Sequence, residues 1–167
     1  MSLPDYHNPI MYTRTKKRGG GCSVLIHSSL KYDIFSPIEK ISCKHIEKVV
    51  VKVIDSKCKN FLLISLYRPP KNKFFKDSLS ELREVLEAAI KSNFPIILSG
   101  DLNIDILQND YFSIKYLELH QTFYLNQFIE NATRFSKFKK SLIDHVVTTP
   151  GLEPITHQSF SSMLPNS

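Results

Sequence analysis

Asp101 and Asn103 stand one residue apart in PIILSGDLNIDIL, residues 95–107, just after a short apolar run. Ile96-Ile97-Leu98 is β-branched and follows Pro95, which predicts a buried strand, and Gly100 then frees the backbone to turn. A strand end is where a rigid scaffold can present a carboxylate and a carboxamide without burying them unsatisfied. A plainer account is a strand followed by an Asx turn, since Asp and Asn are ordinary turn residues. On this stretch alone both accounts stand. Two more polar residues hold comparable places: Tyr67 closes FLLISLY, and Asp144 lies within SLIDHVV.

The elements that must position these residues alternate between strand and helix. Strands are predicted at 22–27, 49–54 (within EKVVVKVI), 61–67, 95–99 and 142–148, with a turn-like DSKCKN before the third. In FFKDSLSELREVLEAAIKS the apolar residues Phe75, Leu79, Leu82, Leu86 and Ile90 recur at helical spacing, with Ser78 or Ser80 near the start. A second helix is expected from Tyr111 to about Tyr124, with a less regular stripe of Ile114, Leu117 and Leu119. There are no repeats and no internal domain boundary, so residues 1–167 read as one layered α/β or α+β domain.

Composition narrows the class. The chain's 167 residues, 42% hydrophobic and 23% charged, suit a soluble globular protein rather than a disordered one. A net charge of +6 favours acidic partners, nucleic acid first. Cys22, Cys43 and Cys58 are odd in number and have no CxxC spacing, which points to reduced thiols rather than a zinc site or disulfide framework. No apolar run is long enough to span a bilayer, so no membrane is expected, and the compartment expected is nuclear or cytoplasmic. The basic cluster Arg14 to Arg18 precedes three glycines but lacks the Gly-Lys-Ser/Thr ending of a phosphate loop.

In order, RGGGCSVLIH, LYRPP, IILSGDLNIDIL and ATRFSKFKKSLIDHVVTT resemble the endonuclease/exonuclease/phosphatase superfamily, of DNase-I-like fold. Within it the set is most similar to the apurinic-type endonuclease domains of non-LTR retrotransposons. The resemblance implies a four-layer α/β/β/α sandwich, two packed mixed sheets with helices outside. It implies that Asp101 aligns or deprotonates the attacking water and that Asn103 donates to the scissile phosphate. Tyr67 would bond a phosphate oxygen where charge develops, and Asp144 would orient a catalytic histidine. Thr133 and Ser141 match a supporting threonine and serine of the retroelement branch. Mg²⁺ is the implied cofactor, a hard ion suited to oxygen ligands. The implied partner is DNA, met through its backbone phosphates. Arg134, Lys137, Lys139 and Lys140 are the candidate contacts, though a merely solvated loop explains the same run. A monomer is expected, with a reverse transcriptase fused in the full-length parent.

The sequence also departs from the family pattern. The family's first strand ends in Asn and is followed by a metal-binding Glu, and its last motif is Ser-Asp-His. The chain is expected to lack both segments, leaving the sandwich incomplete and the metal ligands unidentified apart from Asp101 nearby. Glu47 reads as the opening of a structural strand. Strand alternation should turn His145 away from the face that Asp144 uses, and His157 has no evident partner. Tyr67 also has a plainer role packing on Pro69, as Asp144 does in a turn or lysine pair. Three functions therefore compete: a Mg²⁺-dependent DNA-nicking endonuclease with little activity alone, a non-catalytic remnant with weak nucleic-acid binding, and another phosphoesterase branch acting on inositol phosphates or sphingomyelin. The retroelement-like TR…SLIDH argues against the third.

Overall fold

A computed structural model of the chain describes residues 3–12, 21–55 and 59–152. The basic cluster, Cys58 and His157 lie outside these residues. In chain order the elements begin with β1 (Ile10–Met11), β2 (Ser23–Val24), β3 (Lys31–Ile34), α1 (Ser36–Glu39), β4 (Glu47–Ile54) and β5 (Phe61–Tyr67). A 3₁₀ turn, Asn72–Phe74, leads into α2 (Phe75–Lys91), followed by β6 (Ile96–Asp101) and α3 (Tyr111–Thr122). Four short strands close the described chain: β7 (Asn126–Gln127), β8 (Arg134–Phe135), β9 (Lys140–Ser141) and β10 (Asp144–Thr148).

One six-stranded mixed sheet runs β3-β4-β5-β6-β10-β7. Only β5 and β6 pair in parallel, and α2 is the crossover that this arrangement needs. The pleat divides the strands between two cores. Val50, Ile64, Leu66, Ile96, Leu98 and Val147 face the three helices, while Val49, Val51 and Val53 face Cys22, Val24 and Ile26 around β1 and β2. The fold is thus a mixed α/β sandwich: helices, a large sheet, and a two-stranded second sheet on its other face. Full burial of a Val or Leu side chain contributes roughly 1.5–3 kcal/mol, so both faces of β4 anchor the sheet.

Several predicted boundaries move. The strand expected over 22–27 is only Ser23–Val24, with an isolated bridge from Tyr6 to His27. The last strand begins at Asp144 because the preceding residues bond elsewhere: Leu142 N–H donates to Asp105 Oδ1, and Ile143 O accepts from Leu102 N–H. On α2 the buried arc is Phe75, Ser78, Leu82, Val85, Leu86 and Ala89, whereas Ile90 is exposed. On α3 it is Ser113, Tyr116, Leu119 and His120, leaving Ile114 exposed. Asp110 caps α3 in a reciprocal box with Ser113. At its other end Leu125 N–H bonds His120 O and Tyr124 N–H bonds Gln121 O, a Schellman closure with Tyr124 at φ 53°.

Candidate active site

Register alone brings the separated polar residues together. Tyr67 pairs with Asp101 across β5 and β6, and Asp101 pairs with Asp144 across β6 and β10. Glu47 pairs with Tyr67 on the other side. Laterally paired residues project from the same face of a sheet, with strands about 4.8 Å apart. Glu47, Tyr67, Asp101 and Asp144 therefore form one row at the rim. Glu47 belongs to this row although its place at the start of a strand gave it a structural reading. His145, the next residue along β10, faces the helices: it is 1% exposed, its Nε2 lies 3.0 Å from Ile104 O, and its ring packs on Tyr116.

Past the row the chain turns sharply. Asn103 takes φ 49°, and its N–H donates to Asp101 Oδ1 at 2.9 Å, so the Asx turn is present as well as the strand end. The carboxamide Nδ2 donates to Arg68 O at 2.9 Å. Burial pushes the Asp101 carboxyl above its ordinary range, opposed by the Asn103 N–H and reinforced by the charge of Asp144. A carboxylate so placed is a better proton acceptor than an exposed one.

Thr133 secures the Asp144 side. Its Oγ1 accepts from the N–H groups of Ile143 (3.3 Å) and Asp144 (3.1 Å), and its own N–H donates to Ser141 O at 2.9 Å. Ser141 reaches Thr133 through its main-chain carbonyl. The four basic candidates share a β8–β9 hairpin that pairs Arg134 with Ser141 and Phe135 with Lys140. Lys139 Nζ pairs with Asp105 Oδ2 at 3.1 Å and ties the hairpin to the segment after Asn103. Among the described residues Arg134, Lys137 and Lys140 form no ion pair with a carboxylate. Lys137 lies over Phe138, which is 91% exposed, and Lys140 over Phe135. Between hairpin and turn opens a pocket of about 380 Å³ lined by Asn103, Asp105, Arg134, Ser136, Lys139, Ser141 and Ile143.

Sequence reasoning passed over two residues, Arg68 and Asp105. Arg68 is 3% exposed and packed beneath the turn. An arginine at a strand end ordinarily reads as surface, and only its place between Tyr67 and two prolines hinted otherwise. Asp105, one step beyond DLN-Ile, accepts from Leu142 N–H and Leu107 N–H, joining the turn to the chain before β10.

For a metal, the rim offers carboxylate and amide oxygens, which suit a hard ion in kind. They fall short in number: among the described residues no group of three or more His, Cys, Asp or Glu could hold one. Nor is any described histidine hydrogen-bonded to Asp144. Among the described residues no helix is long and apolar enough to cross a membrane.

The sheet, the rim row and the basic hairpin together define a mixed α/β domain with a polar edge. The sequence matches the Endonuclease/Exonuclease/phosphatase family over residues 2–164, and the chain belongs to that family. Its members generally use divalent metals. Among solved structures it resembles the endonuclease domain of TRAS1, a telomere-specific non-LTR retrotransposon (15% identity, TM-score 0.63, covering 85% of this chain and 65% of that one). It also resembles a mannosyl-6-phosphatase from Bacteroides thetaiotaomicron (19% identity, TM-score 0.59, 89% and 64%). A third is TDP2 from D. rerio complexed with a single-strand DNA product (12% identity, TM-score 0.56, 90% and 65%). The chain spans 64–65% of the length of these structures. No curated protein sequence is significantly similar to it.

Proposed function

We propose that the chain belongs to a DNA-nicking endonuclease of retrotransposon type, a single domain that hydrolyses phosphodiesters with Mg²⁺ and is weakly active alone. The lateral row Tyr67–Asp101–Asp144, with Asn103 fixed beside it, carries this reading. Asp101, its carboxyl raised, accepts the proton of the attacking water. Asn103 has one amide N–H on Arg68 O and a second for a phosphate oxygen, and Tyr67 supplies a phenolic donor at the same edge. Mg²⁺ would take Asp101 as one oxygen ligand among others and would neutralise phosphate charge. Arg134, Lys137 and Lys140 face the DNA backbone beside the pocket. Among the described residues no histidine bonds Asp144, which supports the expectation of low activity.

Supercoiled-plasmid nicking by the purified chain, with Mg²⁺ and beside Asp101→Ala, tests the reading. Slow, Mg²⁺-dependent nicking is expected, with Asp101→Ala slower by roughly 10²–10⁴-fold and duplex binding little changed. Equal nicking by both, or none by either, would refute it, and the second result would mark a fold kept without catalysis. Turnover near about 1 s⁻¹ or above would show that another group fills the histidine's place.

A further inference from the structure

Arg68 is a buried cation with no carboxylate in hydrogen-bond reach among the described residues. Its Nε donates to Ser78 Oγ at 3.0 Å, and Ser78 Oγ donates in turn to Phe75 O at 2.7 Å. Its Nη1 donates to Leu102 O at 3.1 Å and Asn103 O at 3.4 Å, and the guanidinium lies 5.3 Å from the centre of the Phe75 ring. Around it are Ile46, Leu66, Leu79, Leu82, Leu102 and Ile104, an apolar setting that lowers the affinity of the guanidinium for its proton. An apolar side chain of similar volume could fill the space around it. What it cannot do is donate from one nitrogen to two successive carbonyl groups while a second nitrogen holds Ser78.

Those carbonyls belong to the turn that carries Asn103. The main chain of residue 68 completes the grip: its N–H donates to Asp101 O at 3.0 Å, and its C=O accepts from Asn103 Nδ2 at 2.9 Å. One residue thus bonds each of 101, 102 and 103. The turn needs this, because a left-handed φ in a non-glycine residue is unfavourable and persists best where its surroundings over-determine it. The bond to Arg68 O also settles which way the carboxamide faces. Reversing it would set two carbonyl oxygens against each other.

Building on the function proposed above, we propose that Arg68 is the positioning residue of the site, its buried guanidinium locking the 101–103 turn so that Asn103 presents an N–H donor to the scissile phosphate.

The test compares wild type, Arg68→Met and Arg68→Lys by side-chain amide exchange, with the Asn103 signal assigned by its loss in Asn103→Asp. In wild type this amide exchanges at least about 10-fold more slowly than that of exposed Asn109. In Arg68→Met it reaches the Asn109 rate while main-chain amides of β5 and β6 stay protected. Arg68→Lys falls between, since an ammonium keeps donors for the carbonyl groups but cannot hold Ser78 at the same time, and it replaces the Met variant if that one fails to fold. In plasmid nicking kcat falls roughly 10²-fold, with KM changed by less than about twofold. Unchanged Asn103 exchange in a folded variant that merely melts lower would overturn the proposal. Exchange needs no turnover, so an inactive wild type refutes the nuclease reading while the lock is judged separately.

Discussion

Gly100 lies between Leu66 of β5 and His145 of β10, with φ 154°, a backbone conformation that L side chains rarely adopt. A Cβ placed there would stand 1.8 Å from Leu66 O, 2.7 Å from its carbonyl carbon and 3.0 Å from its nitrogen. All three are main-chain atoms of a paired strand, so nothing flexible can give way. Gly100→Ala must therefore rotate residue 100 or part β5 from β6. An unfavourable φ costs roughly 1–3 kcal/mol and overpacking about 1–3 kcal/mol, together about 2–6 kcal/mol. For a fold of about 5–15 kcal/mol that is a large share. At roughly 2–4 °C per kcal/mol the melting temperature should fall by about 5–20 °C, measured by circular dichroism. Because Asp101 follows directly, nicking assayed well below both transitions should fall further than the lost stability explains. A melting temperature within about 2 °C of wild type would refute the reasoning, since it would mean that the strands spread freely.

Acid should weaken the fold through His120, whose pKa burial and nearby His145 hold near 4, below the ordinary 6.5. A depressed pKa means that the native state binds fewer protons, so this stability is complete above pH 6.5 and is lost as pH falls toward 4. His120→Gln should show a shallower drop in urea midpoint between pH 7 and 5, and identical slopes would count against this assignment. Tyr124→Gly should stabilise the protein by roughly 0.5–1 kcal/mol, since glycine holds the left-handed C′ position without the Cβ penalty and Tyr124 is 80% exposed. A lower melting temperature would mean that the tyrosine ring contributes more than the strain costs.

The long apolar strands were legible in sequence because β-branched runs such as VVV and LLIS have no other easy home. β3 was not, since KYDI alternates weakly and is mostly exposed, and β7, β8 and β9, two residues each, are held by neighbours rather than by propensity. The α2 stripe kept Phe75, Leu82 and Leu86 but also took in Ser78, a polar residue whose Oγ accepts from the buried Arg68. Asp101, Asn103 and Asp144 stood out by residue type and setting. Their convergence at one rim followed from the family resemblance rather than from any single strand, because register is a property of paired strands. Arg68 shows the limit most plainly: nothing in a single sequence distinguishes a buried guanidinium from a solvated one.

The order β6-β10-β7 has a consequence for how the protein is made. β6 emerges from the ribosome complete with Asp101, but the strand that flanks it on one side arrives only with residues 144–148. At about 5–20 residues per second, roughly 2–9 s separate the two during translation. Throughout that interval the β6 edge offers unpaired N–H and C=O groups to any other extended chain. β10 must then slot in beside it in one register, because a one-residue slip would present His145 at the rim and bury Asp144 beneath the helices. Chaperone cover of the nascent chain would matter most between those two strands, and stalled translation there would yield a strand-hungry intermediate with half a site.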